Sequence, residues 1–268
     1  MHEITLEDWT HFLKLAEGFD VGPAGLVHYL FRGQAKASWD LSPSLLRQFP
    51  DAITSADALE IEEALLLSFT EVVHLHLPQV HLPQANDLIG SWALMQHYGA
   101  PTRMLDWTAS PVVAAYFAVL DDWEDDGAIW VIHAHSVDSA VQDESLKLTD
   151  TPLPTLAGRL KDPDALPHLF PLRQLHPTDR AVAQQGWFTV STRILAEHGE
   201  ILGHAPEANV DVPSAFRLII PKNLKPTFLR RLRTMNVTAS ALFPGIDGLG
   251  RSIDELARIR ASDVEVGQ

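Results

Sequence analysis

The chain has 268 residues, of which 46% are hydrophobic, and it contains no cysteine. This length allows a substantial core in one large domain or two small ones. The absence of cysteine excludes disulfides, thiolate metal sites and a cysteine nucleophile, and it fits the cytoplasm, which is the predicted location. The formal net charge of −15 argues against a general nucleic-acid-binding surface, because binding to phosphate needs clustered Lys and Arg.

No stretch of the sequence is apolar for the roughly twenty residues that a membrane helix needs. The N-terminus also lacks the basic-then-apolar order of a secretory signal. We therefore expect neither a membrane segment nor export by that route.

Hydrophobic periodicity predicts alternating helices and strands along the chain. The predicted elements, in chain order, are a helix over 5–17, a strand over 26–30, a helix over 55–75, a helix that Asp87 caps and Gly99 ends, a helix over 112–120, strands over 128–134, 186–191 and 216–220, a helix over 224–235 and a last helix over 253–259. These elements predict one α+β domain over 1–268 with its core at about 25–260. Mixed or antiparallel strands would form a cleft, with helices packed outside. Residues 141–170 are rich in Pro, Asp and Leu with weak periodicity, and they predict an irregular insertion or lid.

The helix over 112–120 has the clearest predicted start. Ser110 is a suitable N-cap, Pro111 suits the first turn, and the residues that follow are almost all apolar. The helix should be buried, and its N-terminal N–H groups would face the region of Asp106 to Thr108.

The segment Arg32-Gly33-Gln34 is the first candidate ligand-binding segment. A guanidinium offers a planar fork of donors that suits phosphate or carboxylate oxygens, and a neighbouring glycine lets a ligand approach the backbone closely. A structural ion pair is the alternative interpretation of Arg32.

Two later segments are predicted to line the same cleft: residues 95–111, which include His97, Arg103, Asp106, Trp107, Thr108 and Ser110, and residues 184–188, which begin with Gln184 and Gln185. His97 fits general acid/base work or, equally, a cation at the end of a helix. Asp106 is a candidate acid or a local salt bridge, and Trp107 is a stacking platform or a core residue.

His74, His76 and His81 are the only histidine cluster that suggests a metal. Their spacing does not match a common zinc pattern, and no carboxylate is fixed beside them. We predict no metal site.

The ordered landmarks of the chain resemble the FRG-domain family. They span about 25–260 and comprise Phe31-Arg32-Gly33, Trp39-Asp40-Leu41-Ser42-Pro43-Ser44-Leu45, residues 96–108, Ser110-Pro111, Ala115-Tyr116-Phe117-Ala118, residues 184–188 and residues 242–248. Gly245 stands where the family pattern would have Asp.

A looser likeness is to the NAD-binding core of ADP-ribosyltransferases. It implies NAD as substrate, with Asp106, Gln185 and His97 as catalytic residues. It also implies a binding set: Arg32, Gly33, Gln34, Arg103, Trp107, Thr108, Ser110 and Gln184. Gln184 and Gln185 stand where a transferase would usually place Glu. Asp106, Glu197, Glu200 and Asp247 are the candidate substitutes for that acid, and Asp106 is preferred because it lies inside the strongest motif.

The likeness implies an enzyme that transfers ADP-ribose to a macromolecule or cleaves NAD, such as a bacterial or phage-conflict effector. The alternative is a non-catalytic interaction module that senses a nucleotide or phosphate. A nuclease is a third interpretation, against which the acidic charge and the lack of a metal cluster count.

Overall fold

The computed structural model describes residues 2–19, 28–77, 82–83, 87–139, 153–173, 177–204 and 213–266. The predicted residues Leu26 and His81, and the part of the predicted insertion between 141 and 152, lie outside these ranges.

A mixed seven-stranded sheet forms the centre of the protein. Its strands are β1 (His2–Thr5), β2 (Tyr29–Gln34), β3 (Met104–Thr108), β4 (Gly127–His133), β5 (Leu169–Leu172), β6 (Gly186–Ser191) and β7 (Ala215–Ile220), in the spatial order β1-β7-β4-β2-β3-β6-β5. The outer pair β1 and β7 is parallel and every other neighbouring pair is antiparallel. The α+β class with a mixed sheet is confirmed, whereas the likeness to ADP-ribosyltransferases stays a prediction.

Helices cover both faces of the sheet. They are α1 (Trp9–Glu17), α2 (Ser55–His76), α3 (Leu88–His97), α4 (Pro111–Val119), α5 (Ala134–Ser139), α6 (Leu153–Leu160), α7 (Asp179–Ala183), α8 (His198–Gly203), α9 (Lys225–Thr234), α10 (Ala239–Leu242) and α11 (Ile246–Val266).

The predicted caps are present at two helices near the centre. The Ser110 side chain accepts a hydrogen bond from the Val113 amide at the start of α4, and Asp87 accepts from the Gly90 amide at the start of α3. Gly99 follows α3 with φ +84°, a conformation that glycine adopts without steric cost. Helix α4 is buried as predicted and belongs to the largest apolar cluster of the described residues.

Gly33 allows α4 to lie directly on β2. A Cβ atom at this position would lie 1.9 Å from the Ala114 carbonyl oxygen of α4. The sequence predicted that Gly33 lets a ligand approach the backbone closely, but in the structure the backbone of α4 occupies that space.

Three elements differ from their predictions. Residues 2–5 form β1 beside β7, and α1 begins only at Trp9, where Asp8 caps it. Strand β2 continues to Gln34, so Arg32 lies within the strand instead of beyond its end. The described part of 141–170 is not irregular, because it contains α6, which buries Leu156 and Leu160, and the start of β5.

The sheet has a seam between β2 and β3. These neighbours share a single residue pair, Phe31 with Thr108, whereas β2 and β4 share six pairs from Tyr29 to Gln34. Four strands lie on one side of this seam and three on the other.

Candidate functional site

A pocket opens on the three-stranded side of the seam, between the sheet and helices α3 and α7. Its polar lining comes from Gln96 and His97 at the end of α3, Asp106 on β3, Arg180 on α7 and Gln184 just after α7. Its cavity volume is about 60 Å³, well below the several hundred Å³ of sites that enclose a whole small-molecule ligand. The pocket can therefore hold only a small part of a larger ligand.

Asp106 supplies the carboxylate of this pocket. The residue pairs with Phe188 in the β3–β6 ladder, and it is the exposed position in an otherwise buried strand. Within the described ranges, no hydrogen bond or ion pair involves its carboxylate oxygens. The carboxylate is thus held in place by its strand and is free to meet a ligand.

Two basic residues, His97 and Arg180, lie near this carboxylate. Burial lowers the pKa of His97, the positive charge of Arg180 lowers it further, and Asp106 opposes both effects. Burial also lowers the pKa of Arg180, and Asp106 again opposes this. A neutral imidazole at neutral pH beside an ionised carboxylate can accept a proton.

Arg32 reaches Asp106 from the other face of the sheet. Phe31 pairs with Thr108, so alternation puts the side chains of Phe31, Thr108 and Asp106 on one face and Arg32 on the opposite face. The Arg32 Nη1 donates to the Asp106 backbone oxygen at 2.7 Å, while its Nε is buried and finds no hydrogen-bond partner among the described residues. Burial lowers the Arg32 pKa, the Asp106 charge raises it and the Arg47 charge lowers it. The expected single cleft therefore contains Asp106 but not the Arg32 fork.

Arg103 lies in the interior and not in the pocket. It is 1% exposed, its Nε donates to the Glu62 carboxylate at 2.7 Å and its Nη2 to the second oxygen of the same group. Its Nη1 donates to the Leu160 carbonyl at 3.0 Å. The predicted binding role of Arg103 is corrected, because its donors are used by a buried ion pair that joins α2 to β3.

Two other predicted binding residues, Gln34 and Trp107, use their side-chain polar atoms inside the protein. Gln34 donates to the Asp40 carbonyl and accepts from Trp130, and Trp107, which is 3% exposed, donates to Thr189. The contacts of Gln34 correct its predicted ligand role, whereas Trp107 also lines the pocket and its binding role stays a prediction.

Thr108 and Ser110 take part in a short chain of hydrogen bonds beside the pocket. The Thr108 hydroxyl donates to the Gln184 carbonyl at 2.7 Å and accepts from the Ser110 amide at 3.0 Å. Ser110 in turn caps α4. Their role is to fix the turn that follows β3, which positions Gln184 at the pocket.

The two glutamines of the third segment differ in their surroundings. Gln184 lines the pocket, and its Nε2 donates to the Leu242 carbonyl at 3.0 Å. Gln185 is exposed with φ +49°, and its carbonyl accepts from the Ala109 amide at 3.0 Å. Of the predicted catalytic residues, the structure brings His97 and Asp106 into one pocket and leaves the Gln185 side chain outside its lining.

The sequence interpretation missed Arg180, whereas Gln96 lies within the segment 95–111 that was predicted to line the cleft. Arg180 was overlooked because it precedes the Gln-Gln-Gly segment, although Thr178 three residues before Ala181 is a recognisable helix cap. A helix start at Thr178 places Arg180 and Gln184 one turn apart, which would have pointed to a shared face.

Comparison with known protein families gives a match. The family model described as FRG domain matches residues 27–127, which include β2, β3, α4 and Asp106 but neither α7 nor Gln184. No curated protein and no solved structure matches the chain. In the described part of the chain, no helix is long and apolar enough to cross a membrane, and no group of three His, Asp or Glu residues could hold a metal ion.

Proposed function

We propose that the protein binds NAD and breaks the bond between its nicotinamide and ribose. This proposal is based on the FRG domain over residues 27–127 and on the pocket that contains Asp106. ADP-ribose would then pass to a macromolecular acceptor or to water.

The Asp106 carboxylate is the observation that carries this proposal. It is exposed, its oxygens have no hydrogen-bond or ion-pair partner in the described chain, and it lies in a small pocket. Loss of nicotinamide leaves a cationic ribose, and a nearby carboxylate stabilises such an oxocarbenium ion, as in glycoside hydrolysis. Asp106 takes this role in place of the Glu that Gln184 and Gln185 do not supply.

The proposed step balances without any further reagent. The bond between ribose C1′ and nicotinamide N1 breaks, and its electron pair neutralises the positive pyridinium nitrogen. The C1′ cation that remains is attacked by an acceptor hydroxyl, amine or water. The proton that the nucleophile loses passes to His97, whose lowered pKa favours the neutral, proton-accepting form.

Release of nicotinamide from NAD by the purified protein tests this function. We expect turnover in the wild type, and a loss of at least about a hundredfold in Asp106→Asn, since the amide keeps the shape and removes the charge. Asp40→Asn, a substitution at another exposed aspartate, is the control and should leave turnover unchanged. Absence of turnover in the wild type, or full turnover in Asp106→Asn, would contradict the proposal.

Binding without turnover is the second candidate function. The amides Gln96 and Gln184 favour it, because they can orient a bound group through hydrogen bonds but carry no charge. Binding of NAD by the wild type without product would support this candidate over the first.

A further inference from the structure

We propose that Arg180 and Arg251 form a phosphate-binding pair at the edge of the pocket, and that they bind the diphosphate of a nucleotide. The identity of the nucleotide rests on the proposed function, whereas the binding of a diphosphate does not. The proposed residues lie outside the segments that the sequence analysis selected.

Both guanidiniums are held against the same aromatic ring. The Cζ atom of Arg180 lies 4.7 Å from the centroid of the Phe243 ring, and that of Arg251 lies 4.8 Å from it. The two cations are therefore no farther apart than the sum of these distances. A contact with the ring face orients a guanidinium while leaving its N–H donors in the plane free.

Neither arginine forms an ion pair with an acid among the described residues. Every other cation that contacts a ring has one, since Arg103 pairs with Glu62 and Arg217 pairs with Glu3. No ion pair or hydrogen bond uses the guanidinium of Arg180 or Arg251 among the described residues. Burial and the charge of Arg251 lower the pKa of Arg180, and the Asp106 carboxylate opposes this without forming an ion pair. A bound anion would reduce the remaining repulsion between the two cations.

Arg180 connects this pair to the reaction pocket. It lines the pocket beside Asp106 and Gln184, and its backbone carbonyl accepts the Gln184 amide at 3.0 Å. Gln184 also donates to Leu242, which directly precedes Phe243. The ring that holds both arginines is thus anchored to the pocket wall.

The size of the pocket fits a ligand that extends beyond it. A cavity of about 60 Å³ is too small for a diphosphate, so the phosphates of a dinucleotide must lie outside it. The half-buried Arg180 lines the pocket, and the exposed Arg251 on α11 lies outside its lining. Two guanidinium forks suit the two phosphates of such a group.

Calorimetric titration with ADP-ribose, and separately with inorganic pyrophosphate, tests this pair directly. We expect both to bind the wild type, and each of Arg180→Gln and Arg251→Gln to weaken binding about tenfold or more, as loss of a charged fork predicts. Arg180→Lys should retain part of the affinity, because it keeps the charge but loses the fork. Arg260→Gln, at another exposed arginine of α11, is the matched control and should bind as the wild type does.

Thermal melts establish that each variant is folded, and the outcomes separate the two proposals. Diphosphate binding that depends on Arg180 and Arg251, without NAD turnover, supports the pair and contradicts the proposed reaction. NAD turnover with an unchanged KM in both Gln variants overturns the pair and leaves the reaction standing. Failure of the wild type to bind either probe overturns the pair.

Discussion

Arg32 donates from its Nη1 to the backbone carbonyl of Asp106 at 2.7 Å, across the seam between β2 and β3. The most prominent arginine of the sequence therefore holds the strand that carries the pocket carboxylate, and it does so from the opposite face of the sheet. This contact adds a charged hydrogen bond to a junction that has only one residue pair.

Substitution of Arg32 should weaken this junction. We expect Arg32→Ala to lower the free energy of unfolding by about 1.5–3 kcal/mol, because a hydrogen bond to a charged donor is lost and the Asp106 carbonyl is left without it. Urea denaturation measures the change, with Arg193→Ala, at an exposed arginine, as the control. Equal stability of the two variants would show that the contact contributes nothing.

Gly33→Ala should destabilise the protein through overlap with α4. A Cβ atom would meet backbone at 1.9 Å, so either β2 or α4 must shift, and we expect a loss of about 1–3 kcal/mol or more. The control is Gly158→Ala in α6, where nothing lies within 4 Å of the new atom. That substitution should stabilise the protein by roughly 0.5–1 kcal/mol, since alanine favours the helix. A neutral Gly33→Ala would refute the packing argument.

The adjacent acids Glu62 and Glu63 offer a matched test of burial. Glu62 forms the buried pair with Arg103, whereas Glu63 meets Lys161 at 3.5 Å on the surface. We expect Glu62→Gln to cost about 3–5 kcal/mol, because Arg103 would remain charged and buried without its carboxylate.

Glu63→Gln should cost less than about 1 kcal/mol, as exposed pairs generally do. Guanidinium denaturation of both variants checks the difference. Similar losses in the two variants would contradict the assignment of Arg103 to the interior.

His198 should make stability depend on pH. The side chain is fully buried, its Nδ1 lies 2.9 Å from the Thr189 hydroxyl, and burial, aided by the charge of Arg32, lowers its pKa to about 3. The unfolded chain binds a proton below about pH 6.5, while the folded chain does not until about pH 3. Acidification across this window therefore favours unfolding, by at most about 1.4 kcal/mol per pH unit.

We expect His198→Gln to flatten the pH dependence of the free energy of unfolding between these values. His204→Gln, at an exposed histidine just after the same helix, should leave that dependence as in the wild type. Unfolding curves recorded at successive pH values provide the measurement. The same slope in His198→Gln and the wild type would count against a neutral buried imidazole.

Local patterns predicted much of the fold, because caps and apolar runs act over a few residues. Asp87, Gly99 and Ser110 have the predicted cap roles, and α4 is buried as its composition indicated. Strand β1 could not be predicted in this way, since its four residues are stabilised by pairing with β7 more than two hundred residues away.

The candidate site was predicted only in part, for a related reason. His97 and Asp106 lie together in the pocket as expected, but Arg32 and Arg103 have the same residue type and different surroundings. The sequence does not show which face of the sheet the Arg32 guanidinium lies on. Nor does it show that Glu62, 41 residues before Arg103, forms an ion pair with that arginine. Arg180 was missed because its importance depends on Phe243, which only the tertiary fold brings to it.

The seam between β2 and β3 is the junction of the sheet with the fewest paired residues. Main-chain hydrogen bonds join the strands within each half of the sheet. Across the seam there is one residue pair, and a buried apolar cluster contains Leu30 and Trp130 from one side and Leu105 and Trp107 from the other. Few main-chain hydrogen bonds protect the amides at this junction, so we expect amide exchange to be faster along it than within either half of the sheet.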